Sequence, residues 1–403
     1  MSFKIILPFS FSTATLQDQH CLSIVSATQY DYIIAGTGCA GLSLAMHLLR
    51  EESLRNKKIL LVDEAVKNKN DRTWCFWEKE AGLFEPIVFR QWDKLLFYGD
   101  GFSKELSLAP YRYKMIRGLD FYERCFNELK AHGNVSFLQG KVEEVFSKET
   151  TGVVVNGGVF LAGYVFNSIL FEKPVLTDKQ HWLLQHFKGW QIKTTSPVFD
   201  AGRATLMDFR ISQQHGTAFC YVLPFSAREA LLEYTLFTPQ LLKEEEYDAG
   251  LKDYVENILR IPSYEITDTE FGVIPMTDYV FPAAQNNIVN IGTAGGQTKG
   301  SSGYTFYFIQ QHSRAIAQSL AKTGKPFVKK ASSRFHFYDS VLLHILQNNT
   351  LPGKQIFSEL FQKNDPADVL TFLNNESSLT QELKIISSLP TMPFLKAATK
   401  RFF

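Results

Sequence analysis

Two hydrophobic periods alternate along the chain, and where one gives way to the other they mark its elements. Tyr32, Ile33, Ile34 and Ala35 form a short apolar run, and past a glycine turn Leu42, Leu44, Ala45, Leu48 and Leu49 fall on one helical face. A second run, Lys58 to Val62, predicts a partner strand. After Arg117, the residues Phe121, Cys125, Phe126 and Leu129 share a helical face. The stretches VSFLQGKVEEVFS, TGVVVNGGVFLAG and YVFNSIL then read as strands, with Asn156-Gly157-Gly158 as a hairpin turn. The run Ala230 to Phe237 alternates so that Leu231, Glu233 and Thr235 share one face. NIVNIG reads as a strand and YTFYFIQQHSRAIAQSLA as a helix. From Ser332 onward the pattern is helical: SVLLHILQNN, a helix capped by Asp365 with Pro366 in its first turn, and one with the capping box Ser378 to Gln381.

The first strand, turn and helix carry Gly36-Thr37-Gly38-Cys39-Ala40-Gly41. Gly36 permits a tight turn, Gly38 lets backbone meet a pyrophosphate, and Gly41 allows close packing of helix on strand, with the helix N-terminus aimed at negative charge. Asp63 ends the second strand, where an acid holds a ribose hydroxyl, and Glu64 is the fallback. The far glycines Gly292, Gly295, Gly296, Gly300 and Gly303 lie between a strand and a helix and offer amides to the same ligand. A helix followed by a strand meander, with the two loops separated by an insertion, is the order of FAD domains rather than nicotinamide dehydrogenases. The fold class is therefore α/β, a Rossmann-type FAD-binding flavoprotein fold with an inserted β-sheet substrate domain and C-terminal helices. Its segments are 29–90, 116–175 and 271–325 for FAD, 91–115 and 176–270 for substrate, and 326–403 as a helical cover.

Composition narrows the partners. With 42 basic and 41 acidic residues there is no net field to gather nucleic acid. Phenylalanine occurs 34 times, enough for a heavy core, a wide apolar cavity or a membrane-facing patch. The five cysteines form no CxxC pair and have no metal-ligand spacing, which predicts reduced thiols in a cytosolic setting, with neither disulfide nor metal. No apolar run nears the roughly 18 residues of a membrane span. Residues 1–28 are a leader of unknown role, either disordered or lying on a membrane, and the tail Lys396, Lys400-Arg401-Phe402-Phe403 is either an interfacial anchor or a frayed terminus.

The motifs DRTWCFW (71–77), MDFR (207–210), LLEYT (231–235), GVIPM (272–276) and the stretch Gly292 to Tyr304 fall in the order seen in bacterial lycopene cyclases, and the sequence resembles that family from about residue 30 to its C-terminus. The resemblance implies an isomerase that closes the linear ends of lycopene into β-ionone rings, giving γ-carotene and β-carotene. It also implies a need for reduced FAD, with NADPH or NADH as reductant, without net redox change. Lycopene and related carotenoids are then the substrates, and the enzyme is cytoplasmic and rests peripherally on the membrane surface.

Protonating an alkene calls for a sheltered acid, and the resemblance makes Glu233 the donor, whereas strand alternation alone leaves it on a solvated face. The proton acceptor is open among Asp208, Glu270 and Glu233 itself; for Asp208 an internal ion pair with Arg210 is the alternative. Trp74, Phe76 and Trp77 are candidates for cation–π contact, or core. The cofactor-binding set is Gly36, Gly38, Cys39, Ala40, Gly41, Asp63, Glu64, Arg72, Trp74, Arg117, Gly292, Ala294, Gly295, Lys299, Gly303 and Tyr304. Within it, Lys299 is either a flavin contact or a surface lysine, and Arg117 either approaches the cofactor or caps the following helix. The sequence departs from the family in having Tyr234 where a second acid commonly follows the glutamate, so a carboxylate pair must be completed from elsewhere. It also has Thr298-Lys299-Gly300 in place of His-Pro, and Gly292-Thr293-Ala294 where a redox flavoprotein shows Gly-Asp-Ala. A redox FAD-dependent monooxygenase, halogenase or isoprenoid reductase of the same fold, and a non-catalytic carotenoid carrier, are the rival readings.

Overall fold

The computed structural model describes residues 29–328 and 333–402, so the leader lies outside the described residues. The strand Gln29–Ala35 sits inside an eight-stranded sheet, parallel to Ile59–Asp63 on one side and to Gly158–Asn167 on the other. Ile288–Asn290 extends the sheet beyond Gly158–Asn167, again in parallel, and so places the far glycine loop at the same strand ends as the first. The helices Cys39–Leu48 and Phe306–Thr323 pack on each other, and the Gln310 amide donates to Ser43 Oγ at 2.8 Å between them. Asn156 (φ 49°) and Gly157 (φ 77°) turn the expected hairpin, a pair of left-handed residues matching strand twist. The stretch anticipated as two strands around Gly163 is one continuous strand.

A second sheet of seven strands runs in the order Tyr264–Thr277, Trp182–Thr194, Glu229–Thr238, Thr217–Pro224, Ala204–Asp208, Lys94–Tyr98, Ser103–Ser107. A small sheet, Thr73–Glu78, Arg112–Arg117 and Arg90–Trp92, lies between the two larger ones in the chain's course. Two segment borders anticipated from sequence, 115/116 and 270/271, fall inside single strands, because hydrogen-bonded ladders carry the chain through them.

The phenylalanine surplus goes chiefly to packing. Phe97 meets Phe361 with ring centroids 4.8 Å apart, and Phe209 stacks on Phe357 at 6.1 Å, joining the second sheet to the C-terminal helices. Those helices are Ser333–Gln347, Gly353–Lys363, Pro366–Leu373, Leu379–Ser388 and Thr391–Phe402. The caps at Asp365 and Ser378 form as read. The second helix was not foreseen, and the tail is a helix rather than a frayed end. Its Arg401 reaches the buried Asp278 at 2.8 Å, and Asp278 also accepts from the backbone and ring of His181 and from Ser340. Among the described residues no helix is long and apolar enough to cross a membrane.

Candidate functional site

Each glycine loop is shaped by what a side chain would strike. A Cβ at Gly41 would stand 1.9 Å from the Gly36 carbonyl, and Gly36 itself holds φ +95°. Gly38, in contrast, has nothing within 4 Å, so its face is open to a ligand, and no side chain caps the helix that starts at Cys39. Gly292, at φ +60°, brings the second loop so close that a Cβ there would meet Ala40 Cβ at 2.7 Å. Gly295 turns against the Asn290 carbonyl, with Ala294 buried behind it. Some 250 residues apart in sequence, the loops touch in space.

A cavity of about 390 Å³ opens where they meet. Gly38, Cys39, Ala40, Arg72 and Trp74 line one side, Gly292, Gly303 and Tyr304 another, and Glu233 stands in its wall. Burial pushes the Cys39 thiol up to about 12, leaving it protonated and apolar in character. Trp74 is braced edge-on by Phe121 at 5.0 Å and Tyr122 at 6.0 Å. Phe76 and Trp77 are core instead, the Trp77 indole donating to the Leu370 carbonyl.

Several anticipated residues lie elsewhere. Asp63 grips the first loop directly, accepting from the Thr37 amide at 2.6 Å and hydroxyl at 3.0 Å, while Glu64 is exposed beyond the strand end. Lys299 turns into the C-terminal helices, where its buried ammonium meets Asp339 at 2.6 Å and Asn375 at 2.8 Å, so it is neither a surface lysine nor part of the cavity wall. Arg117 pairs with Asp120 at 2.7 Å and lies over Phe89, also outside the cavity. Asp208 pairs in register with Cys220, which pairs with Tyr234. Strand alternation therefore sets it on the sheet face opposite Glu233. There Arg210 clasps it through two nitrogens, and the Tyr254 hydroxyl donates at 2.8 Å.

Among the described residues no such cation pairs with Glu233. It is 9% exposed, and burial, followed by the neighbouring Glu270 carboxyl within hydrogen-bonding reach, pushes it well above the usual carboxylate range. The solvated-face alternative fails because the small sheet and the far loop cover this face. Cys75, Tyr221 and Tyr304 face Glu233 from three different elements, and all are pushed up by burial and so neutral at pH 7. Glu270 is the second carboxylate that position 234 lacks. Its Oε2 accepts from the Thr73 hydroxyl at 2.7 Å.

Sequence reading missed Gln185 and Ser302. Both line the cavity, and the Gln185 Oε1 and Ser302 Oγ atoms are buried with no partner among the described residues. It also missed Tyr113, whose hydroxyl lies 3.2 Å from that of Tyr304. Ser302 lies within the Gly292–Tyr304 stretch, whereas Gln185 and Tyr113 stand in no motif.

A profile of the family described as Lycopene cyclase protein matches residues 31–399. The lycopene beta-cyclase of Pantoea ananas is 26% identical over 213 residues, covering 51% of this chain and 52% of that protein. The chloroplastic neoxanthin synthase of Solanum tuberosum is 25% identical over 349 residues, covering 80% and 66%. The chain thus aligns with about half to two-thirds of the length of these curated relatives. Among solved structures, a flavoprotein/dehydrogenase from Cytophaga hutchinsonii superposes with a TM-score of 0.62 at 13% identity, covering 93% of this chain and 99% of that one. A geranylgeranyl bacteriochlorophyll reductase-like protein from Thermoplasma acidophilum gives 0.59 at 12%, covering 93% and 96%. At these identities the structures show the fold, an α/β flavoprotein fold with C-terminal helices, as read from the sequence.

Proposed function

Because the chain belongs to the lycopene cyclase family, we propose that it is a lycopene β-cyclase, an isomerase that closes the ψ ends of lycopene into β-ionone rings to give γ-carotene and then β-carotene. The observation that carries this reading is a buried carboxyl, Glu233, with no cation paired with it among the described residues, in the wall of the cavity where both glycine loops meet. An acid that burial makes hold its proton well above the ordinary carboxylate range, screened from water, suits the protonation of a base as weak as an alkene.

Glu233 delivers its proton to C2 of the substrate's terminal alkene, leaving a tertiary cation at C1. The C5=C6 π-bond attacks C1, the charge moves to C5, and loss of the C6 proton completes the β ring. One proton enters and one leaves, so the formula is unchanged and no electrons are consumed. The acceptor is Glu233 itself, now a carboxylate, or Glu270 beside it; Asp208 is on the wrong face. The Trp74 ring contributes about 0.5–2 kcal/mol of cation–π stabilisation where its face meets the charge.

The residues present fit a flavin dinucleotide. Gly38 is open to a pyrophosphate, Gly41 and Gly292 allow backbone approach that any side chain would block, and Gln185 Oε1 and Ser302 Oγ offer polar atoms with no partner among the described residues. When bound and reduced by NADPH or NADH, FAD supplies a fixed negative charge in a dry site, which stabilises positive charge on the substrate. Gly38, Cys39 and Ala40 would hold it from one loop and Gly292, Ser302 and Gly303 from the other.

The proposal includes a cytoplasmic protein resting on a membrane, since lycopene is a bilayer hydrocarbon. Leu379 and Leu383 on one C-terminal helix and Met392 and Leu395 on the next are exposed, with Lys396 and Lys400 beside them, the mixture an interfacial surface carries. The test is incubation of the flavin-loaded protein with lycopene in liposomes, in parallel without and with oxygen, the flavin reduced by NADPH whose oxidation is followed. Conversion to β-carotene with no stoichiometric use of NAD(P)H supports the cyclase. Product formed in proportion to NAD(P)H consumed supports the redox rivals, and tight binding without conversion supports a carrier.

A further inference from the structure

Glu233 and Glu270 are not on neighbouring strands. Between them runs Trp182–Thr194, and one residue of it, Gly189, pairs in register with both acids, with Glu233 on one side and Glu270 on the other. Directly paired positions project from the same face, so the three form a row across the sheet. Strands spaced about 4.8 Å apart put the two acid backbones roughly 10 Å from each other, and an ordinary middle side chain would stand in the gap. Here there is none. A Cβ at Gly189 would lie 2.9 Å from Glu270 Cγ, 3.1 Å from Leu231 Cδ1 and 3.3 Å from Glu233 Cγ.

Nothing in the backbone asks for glycine at 189. Its φ is not in the left-handed region, unlike that of Gly36 or Gly292. A glycine inside a strand sacrifices stability relative to residues with side chains, so its presence points to close approach by other groups. Two ionised carboxylates can only accept hydrogen bonds. Glu270 Oε1 is buried with no donor among the described residues, while its Oε2 is already served by Thr73, and the Glu233 carboxyl is within reach. A single proton between the two acids supplies the missing donor.

We propose that Gly189 is a positioning residue whose missing side chain lets Glu233 and Glu270 share one proton across an intervening strand, and that this shared proton is the one delivered to the substrate. The second clause rests on the cyclase reading; the first does not. The pair then acts as one acid: once the proton leaves, two ionised carboxylates stand side by side, and their mutual repulsion raises the pair's affinity for the C6 proton, with Thr73 holding Glu270 in place.

The test joins an infrared titration of the substrate-free protein with cyclisation rates for Gly189→Ala, Glu270→Gln and their combination. In wild type, a protonated-carboxyl stretching band, absent in Glu233→Gln, persists above the ordinary glutamate range. Gly189→Ala moves its midpoint by at least about one pH unit and slows cyclisation about tenfold or more. Added to Glu270→Gln, it changes the rate by less than about twofold, because no partner is left to separate. Should Gly189→Ala fail to fold, Gly189→Ala/Leu231→Ala, which relieves the 3.1 Å contact, takes its place. A band indifferent to both Gly189→Ala and Glu270→Gln in folded protein overturns the inference, as do rate effects that multiply. A Gly189-sensitive band in a protein that never cyclises lycopene upholds the shared proton and removes the cyclase reading.

Discussion

Asp208 and Glu233 are buried carboxylates on two strands that flank Thr217–Pro224, and they differ in what faces them. Asp208 looks toward the helical segment between Glu229–Thr238 and Tyr264–Thr277, where the Arg210 amide and two of its guanidinium nitrogens and the Tyr254 hydroxyl supply four donors. Glu233 looks toward the cavity and meets a second carboxyl and neutral tyrosines. Burial alone therefore does not make an acid catalyst. A buried carboxylate clasped by a guanidinium is committed to a structural pair, whereas one answered by another carboxyl keeps its proton and can give it away.

The sharpest way to break this comparison is to neutralise each acid in turn. Glu233→Gln is expected to lower the cyclisation rate by roughly 10²–10⁴-fold, while Asp208→Asn leaves the rate per folded molecule within about twofold, both read by pigment analysis of purified, flavin-loaded protein. An equal loss in the two variants would erase the distinction. Stability should invert it. Asp208→Asn strands Arg210, which keeps 40% side-chain exposure, and is expected to cost about 2–3 kcal/mol in denaturant unfolding, somewhat less than for a fully buried pair.

A smaller effect lies in the pH dependence of melting. Below the ordinary value of 4.5, Glu233 is protonated in both the folded and the unfolded chain and contributes no slope. Above it, the unfolded chain releases a proton that the folded protein still holds, so stability falls as pH rises toward Glu233's raised value, by up to about 1.4 kcal/mol per pH unit. Glu233→Gln removes that fall, and its melting temperature should exceed that of wild type by a margin that grows as pH rises above 4.5. The least effect belongs to the half-buried pair Arg117–Asp120: Arg117→Ala is expected to cost less than about 1 kcal/mol and to leave flavin affinity unchanged, measured by fluorescence titration.

What was legible in the sequence follows the same divide. The glycine cradles, the first helix and the helix caps are set by local chemistry, and the periods and turn residues around Gly36, Asn156, Asp365 and Ser378 announced them. The partnership of Glu233 with Glu270 depends on the register of three strands spread over more than 80 residues, and no local pattern encodes it. Lys299 and Arg117 sit beside the right motifs, yet their long side chains follow the nearest acid, Asp339 or Asp120, away from the cavity. The one sequence clue to the pair was a glycine interrupting the strand LLQHFKGWQIK, a place where backbone or side chains from elsewhere come close.

The account depends most on Glu233 as the source of the hydrogen that ends at C2 of the new ring, and isotope incorporation tests this directly. With flavin-loaded enzyme reduced in deuterated water, mass spectrometry of the product should show one deuterium per ring closed, at C2, none transferred from a deuterated nicotinamide, and no labelled product from Glu233→Gln. Ring closure without solvent deuterium, or undiminished labelled product from Glu233→Gln, would contradict it.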